Sequence, residues 1–565
     1  MKAMRGVWFR RLAWLVGLLA LVVIALVSYE PELLELFSQG EQKRLQPEPA
    51  LAKPGDNMHE LLILALDGVD RALLYDMLRS GQLPGLAGLL GGRDGDFPHA
   101  HFDETVLSTL PSSTLAAWAT VFTGEPPARH GVTGNEYFVR ERRTVAAPAP
   151  VSIVDAKPVL EIYTDEYANK LLAVPTVYQR MRDARPELSI WVSMSQFYAG
   201  ATRLLLADRS VVADAFKALL SSTADGDRLD LYAELDEEVA DTLTDALENH
   251  PPAHVITLYL TGSDHYAHVH EQGPDHARRV YLQKVVDPLL VRIQGALAGH
   301  GSLSDRTVVV LSDHGHTPVT HDERHALSTD DEDDPPSVLR GAGFRLRPFE
   351  LELDEDEDDY QAVLAYGGAM AYVYLADRSG CARAGQRCDF NQPPRFEEDV
   401  IATAEAFYQA NANGKYAPEM KGSLDLILAR RPRPFAEVDD PFEVYTGNGK
   451  LEPVAKYLAE HPHPTYVAVE RRLRELAVGP HGERAGDVLL LANNGNVDHQ
   501  EERYYFAGLY RSWHGSPSRQ DSEVPFIVAH PRRSTSELAA LTRRTLGDDP
   551  TQADVAKLLL EVVSQ

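Results

Sequence analysis

Short apolar runs that stop on an acid recur along the chain. Leu61–Leu66 (LLILAL) ends on Asp67-Gly68, Val255–Leu260 (VITLYL) leads into Thr261-Gly262-Ser263-Asp264, and Val308–Leu311 leads into Ser312-Asp313-His314-Gly315-His316. A run that is apolar at every position predicts a strand covered on both faces, as in a parallel sheet. Ile190–Ser193 and Val488–Leu491 have the same character. Between these runs the period changes. Leu73, Leu74, Met77 and Leu78 recur at helical spacing, with Gly81 placed to end the helix. Leu115–Phe122 and His276–Leu297 read as helices, the second kinked at Pro288, and Asp554–Val563 reads as an amphipathic helix packed outside the sheet. Strands alternating with helices predict an α/β fold, a mostly parallel central sheet with helices on both faces.

The run Leu12–Ser28 has a different length and different flanks. Lys2, Arg5, Arg10 and Arg11 precede it, and Glu30, Glu32 and Glu35 follow. At 1.5 Å per residue it spans about 25 Å, the short end for a transmembrane helix. The basic flank places the N-terminus in the cytoplasm. A cleaved signal peptide is the competing reading, but SYEPELL after the run offers no small-residue cleavage site. The expected organisation is a cytoplasmic flank and single-pass anchor at 1–29, a linker at 30–57 and an exported domain at 58–565. An inserted subdomain at about 317–487 is expected within that domain. There the alternation weakens, acid runs appear at Asp330–Asp334 and Asp354–Asp359, and Tyr366–Leu375 reads as a strand. Neither acid run has calcium-loop spacing, and both read as solvated loops. The chain carries no Asn-x-Ser/Thr sequon, which fits a bacterial periplasm.

Charge narrows the partners. Lys+Arg total 55 against 84 Asp+Glu, a formal net charge of −29. Such a surface repels a nucleic acid backbone, so no polymer binding is expected. The two cysteines, Cys381 and Cys388 in CARAGQRC, lack the spacing of a metal or redox motif. In an oxidising compartment a local disulfide is the simplest reading; two free thiols are the other.

The candidate chemistry sits where the apolar runs end. Asp67, Asp264, His268, Asp313 and His314 follow strands, and His514 lies in a loop. Three carboxylates and three imidazoles make a ligand set for two zinc-like ions, with manganese as the alternative. His265, His270, His316, His321 and His325 are read as supporting or surface residues. Leu110–Asn135 adds Ser112, Ser113 and Thr114 at the start of a helix, then Thr123-Gly124, His130-Gly131 and Asn135. A hydroxyl there faces free N–H groups and the positive end of a helix dipole, which suits attack on an anion or plain helix capping.

Leu66–Gly68, Pro111–Thr114, Thr123-Gly124, His130-Gly131, Asn135, Asp264–His268, Ser312–Gly315 and His514–Ser516 occur in an order that resembles the alkaline phosphatase superfamily. Within it the chain resembles type I phosphodiesterases/nucleotide pyrophosphatases, over about 61–563. The resemblance implies an alkaline phosphatase-like fold and a hydrolase of small phosphodiesters or pyrophosphates, which the run Leu12–Ser28 would anchor to the membrane. It implies one ion at Asp67, Asp313, His314 and Thr114 and a second at Asp264, His268 and His514. Thr114 would be the nucleophile of a covalent phospho-threonine route, with Asn135 on a phosphoryl oxygen. A phosphomonoesterase, a phosphoryl transferase and a non-catalytic anion binder are the rival readings. The sulfatase signature C/S-x-P-x-R is absent from the nucleophile loop. Phosphomonoesterase relatives carry S-x-K-D-R where VSMSQF (Val192–Phe197) stands here. Ser195 and Phe197 then replace the cations, which predicts a diester preference with the Phe197 ring on the second substituent. Arg140 and Arg203 are the nearest arginines that could substitute.

Overall fold

The computed structural model describes residues 42–46, 60–153, 161–162, 166–208, 211–212, 229–329, 334–354, 357–431, 440–495 and 499–564. The predicted anchor at 12–28, most of the linker, and most of the first acid run lie outside these residues. Among the described residues, no helix is long and apolar enough to cross a membrane.

Eight described strands form the central sheet. Their order is Gln42–Arg44, Arg203–Leu205, Ile190–Ser193, Val255–Leu260, Glu60–Leu66, Arg306–Ser312, Phe526–Ala529 and Ala100–Asp103. The inner five pair in parallel. Leu61 stands between Val255 and Thr307, so Asp67, Asp264 and Asp313 leave the same sheet edge. That is the edge where α/β sheets bind ligands. The outer pairings are antiparallel, so the sheet is mostly parallel, as the apolar runs predict. An apolar run reports burial but not direction, so Phe526–Ala529 (FIVA) could not reveal that it runs against Arg306–Ser312.

Helices cover the sheet in two layers. One contains Thr114–Thr123, Val177–Ala184, Thr535–Leu546 and Gln552–Ser564. The other contains Arg71–Arg79, Pro84–Leu89, Leu229–Asn249, Gly262–Val269 and Asp287–Gly299. This double cover explains why the Glu60–Leu66 strand is buried from Leu61 onward on both faces. The expected kink at Pro288 is a π-turn at Leu282–Val286, between the helices Pro274–Tyr281 and Asp287–Gly299. Proline removes an N–H and crowds the carbonyl four residues back, and the wider turn relieves both.

A second sheet is antiparallel throughout, in the order Ala362–Gly367, Met370–Leu375, Val488–Ala492, Leu424–Arg430, Phe442–Gly447 and Lys450–Pro453. Two readings change here. Val488–Leu491 is a buried strand of this sheet, not of the parallel one. Tyr366–Leu375 is the turn and second strand of a hairpin rather than one strand. Gly368 makes that turn at φ +75°, and a side chain there would collide with the Trp513 ring, so this tip packs beside His514. Arg140, just after the short strand Tyr137–Val139, pairs with Asp487, immediately before the Val488–Ala492 strand. Cys381 and Cys388 are joined as a disulfide.

Candidate metal centre

The strand ends converge as their register dictates. Asp67, Asp313 and His314 present ligand atoms within 4.8 Å of one another, and so do Asp264, His268 and His514. His314 Nε2 lies 3.6 Å from Asp67 Oδ1, 3.2 Å from Asp313 Oδ2 and 4.0 Å from Asp264 Oδ1. Asp264 faces His268 Nε2 at 3.5 Å and His514 Nε2 at 3.8 Å. Every one of these side chains is buried.

The rings are held from behind. Nδ1 of His314 meets the Gly315 carbonyl at 3.0 Å, that of His268 the Ser512 carbonyl at 2.8 Å, and that of His514 the Ser112 carbonyl at 3.1 Å. A carbonyl can only accept, so Nδ1 carries the proton and Nε2 turns its lone pair to the centre. Gly68 (φ +70°) donates its N–H to Asp313 Oδ1 at 3.0 Å. A side chain at Gly68 would meet His316 Nε2 at 2.8 Å. Gln552, from the C-terminal helix, donates to the Ser312 and Asp313 carbonyls at 3.0 and 2.7 Å and accepts from Thr109 N–H at 3.0 Å. It thereby ties the hydroxyl loop to the ligand turn.

Two buried oxygens, Asp67 Oδ1 and Asp313 Oδ2, accept no hydrogen bond. An uncompensated buried carboxylate oxygen is costly unless a cation faces it. The residues therefore fit the divalent ions implied by the ligand pattern. Burial, then the charges of Asp313 and Asp264, push the Asp67 carboxyl well above its ordinary range. Burial raises Asp313 as well. Burial would also raise Asp264, but His268 and then His316 outweigh it and hold that carboxyl well below the usual range. Burial, and His314 beside it, keep His514 well below its ordinary value.

His316 is the residue the sequence reading set aside. Its Nε2 is 2.8 Å from Asp264 Oδ1, and its Nδ1 is 3.1 Å from Ser512 Oγ, which donates to the Ala267 carbonyl at 2.7 Å. Tyr259, whose hydroxyl donates to Asp67 Oδ2, was missed too. The available signals were a second histidine just after SDHG and a tyrosine at the end of VITLYL. The other set-aside histidines differ. His265 borders the cleft beside Thr261, His325 bonds Asp322, His321 meets the Tyr510 carbonyl, and His270 packs on Tyr266.

Of the three hydroxyls, Thr114 faces the cluster. It opens the helix Thr114–Thr123, and its Oγ1 lies 3.2 Å from His314 Nε2. Ser112 Oγ is taken by Arg472 at 2.7 Å and by the Thr109 and Ser516 carbonyls. Ser113 is the N-cap by position but makes no side-chain capping bond. Asn135 Oδ1 accepts the Leu115 N–H at 2.9 Å, fixing this residue beside the same helix start.

The cluster opens into a cleft of about 860 Å³, part of it open to solvent. Pro148, Ala149, Pro150, Val151, Ile162, Met194 and Leu235 give it an apolar wall, with Gln196, Asn135 and Thr261 as polar groups. No lysine or arginine lines it among the described residues. Ser193, Ser195 and Phe197 do not border it, correcting the expected place of the Phe197 ring. Past the end of the Ile190–Ser193 strand, Met194 takes a left-handed conformation (φ +61°), and Met194 and Gln196 border the cleft while Ser193, Ser195 and Phe197 are fully buried. Arg140 is engaged with Asp487 and the Leu375 carbonyl, and Arg203 lies on the sheet over Trp191.

A family model described as type I phosphodiesterase/nucleotide pyrophosphatase matches residues 61–508. The chain belongs to the type I phosphodiesterase/nucleotide pyrophosphatase family. Its class is therefore that of phosphodiesterase and pyrophosphatase hydrolases. Among solved structures, murine ectonucleotide pyrophosphatase/phosphodiesterase 5 is similar at 12% identity and TM-score 0.47, covering 89% of this chain and 95% of that one. An inactive form of the murine protein in complex with AMP is similar at 12% identity and TM-score 0.47, covering 90% and 95%. The human protein of the same name is similar at 11% identity and TM-score 0.48, covering 89% and 95%. No curated protein matches the chain.

Proposed function

We propose that this chain is a two-metal phosphodiesterase that works through a phospho-threonine at Thr114. The observation that carries this reading is Thr114 Oγ1, placed 3.2 Å from His314 within the Asp/His cluster and open to a cleft without lysine or arginine among its described lining residues. Asp67, Asp313 and His314 would hold one ion and Asp264, His268 and His514 the other. Two zinc ions there (manganese being the alternative) would lower the pKa of the threonine hydroxyl and neutralise phosphoryl charge.

Thr114 Oγ1 attacks phosphorus, and the P–O bond to the departing alcohol breaks, the alcohol leaving with the hydroxyl proton. Water then hydrolyses the phospho-threonine ester, releasing the monoester and restoring the hydroxyl. Asn135, whose Oδ1 is held by the Leu115 N–H at the helix start, has its amide N–H groups to offer an equatorial oxygen. A terminal phosphate monoester is nearly dianionic and needs further cationic contacts, whereas a diester carries one negative charge. The cleft therefore favours diesters. The test is kcat/KM for p-nitrophenyl phosphate against its aryl and alkyl diesters on one preparation. The diesters are expected to be faster; a faster monoester overturns the preference.

The reading extends to location. The run 12–28 anchors the protein with its catalytic domain on the exported side, and the Cys381–Cys388 disulfide suits an oxidising compartment. Protease digestion of intact spheroplasts is expected to shave the domain from a membrane-bound stub; a protected domain contradicts this.

A further inference from the structure

We propose that Glu136 is a positioning residue that sets which second substituent of a diester the cleft accepts. This rests on the diesterase reading above. Glu136 is 1% exposed. Its Oε2 accepts the N–H groups of Val151, Ser152 and Ile153 at 3.1, 2.9 and 3.4 Å. Its Oε1 accepts the Tyr366 N–H at 3.1 Å and the Ser152 hydroxyl. Among the described residues it forms no ion pair with lysine or arginine. The preceding residue acts on the same segment, since the Asn135 carbonyl accepts the Ala149 N–H at 3.2 Å. One dipeptide thus fixes the helix start at Thr114 through Asn135 and the apolar wall Pro148–Val151 through both residues.

The wall is short, proline-bearing and outside any regular element at 148–153, so these hydrogen bonds and the packing of Ala149, Val151 and Ile153 on the core, rather than a strand ladder, set its place. The choice of residue follows from donor counting. Four N–H groups and one O–H converge on one side chain, and a carboxylate supplies about four lone-pair sites with no hydrogen to clash. A glutamine keeps one oxygen and turns an NH₂ toward donors, leaving buried N–H groups unmade. The Tyr366 bond joins this anchor to the second sheet, so the insert acts on the cleft through Glu136 without touching substrate.

Bis(p-nitrophenyl) phosphate and methyl p-nitrophenyl phosphate share a leaving group and differ in the substituent that faces the wall. In Glu136→Gln, kcat/KM for the bis-aryl ester is expected to fall by about tenfold or more, mainly through KM, and that for the methyl ester by about threefold or less. Ser152→Ala, which removes only the hydroxyl donor, is expected to shift the ratio the same way by less, and serves if Glu136→Gln does not fold. Hydrogen exchange at 151–153 is expected to quicken in both variants. Equal losses on both esters, or an unchanged ratio with unchanged exchange, overturn the role of Glu136 while leaving the diesterase reading intact. A wild-type enzyme that turns over neither ester overturns both.

Discussion

The two halves of the cluster have equal ligand counts and opposite charge balances. Around Asp67, two carboxylates share one imidazole, and two of their oxygens lack any hydrogen bond. Around Asp264, one carboxylate meets His268, His514 and the additional His316. Burial pushes the first pair of carboxyls up, helped by the charges of Asp313 and Asp264 on Asp67 and of Asp264 on Asp313, while His268 and His316 hold Asp264 down against its burial. The first half thus keeps two carboxylate oxygens without a donor, whereas in the second Asp264 has His316 at 2.8 Å and the His268 and His514 rings nearby. The Thr114 hydroxyl stands at the half that most needs the ion.

Thr114→Ala gives the largest break. It should lower kcat by on the order of 10⁴-fold, whereas Ser113→Ala, one residue away, should change it by about threefold or less. Comparable losses in the two variants would dissolve the assignment of chemistry to the Asp67 half. His316→Ala probes the other half. It leaves the predicted ligands in place and removes the partner of Asp264, so zinc affinity measured by chelator competition should fall by about 10- to 100-fold at one of two ions. An unchanged affinity would mean that His316 plays no part in closing that half.

The gentlest probe is pH. A raised carboxyl holds its proton to higher pH, and an ion must displace that proton, so affinity at the Asp67 half should fall as pH is lowered. Asp264 stays ionised and His514 stays neutral further into the acid range. Elemental analysis after stepwise acid dialysis should therefore show the Asp67 half emptying first, with Asp313→Asn removing the early step. Loss of the Asp264 ion first would invert the comparison.

The strand-end acids were legible because an unbroken apolar run states both that a strand is buried and where it stops. Leu61–Leu66 stops on Asp67, Val308–Leu311 is followed by Ser312 and Asp313, and Val255–Leu260 is followed four residues on by Asp264. Direction and partner were not legible. Val488–Leu491 is as apolar as the parallel strands, yet it belongs to the antiparallel sheet, because burial between any two layers selects the same residues. His316, Tyr259 and Glu136 escaped for a related reason. His316 and Glu136 lie outside strands and helices, where neither period 2 nor 3.6 applies. Tyr259 lies inside a strand buried at every position, where the pattern does not single out one side chain. Phe197 failed on the first ground, its neighbours Met194 and Gln196 taking the cleft.

Trapping the covalent adduct tests the central claim most directly. The zinc-loaded protein is mixed with a slow aryl diester, quenched in acid during turnover, digested and mapped by mass spectrometry. The expected result is a single phosphoryl adduct on Thr114 that is absent from Thr114→Ala. An adduct on Ser113, or steady turnover in Thr114→Ala, would contradict it.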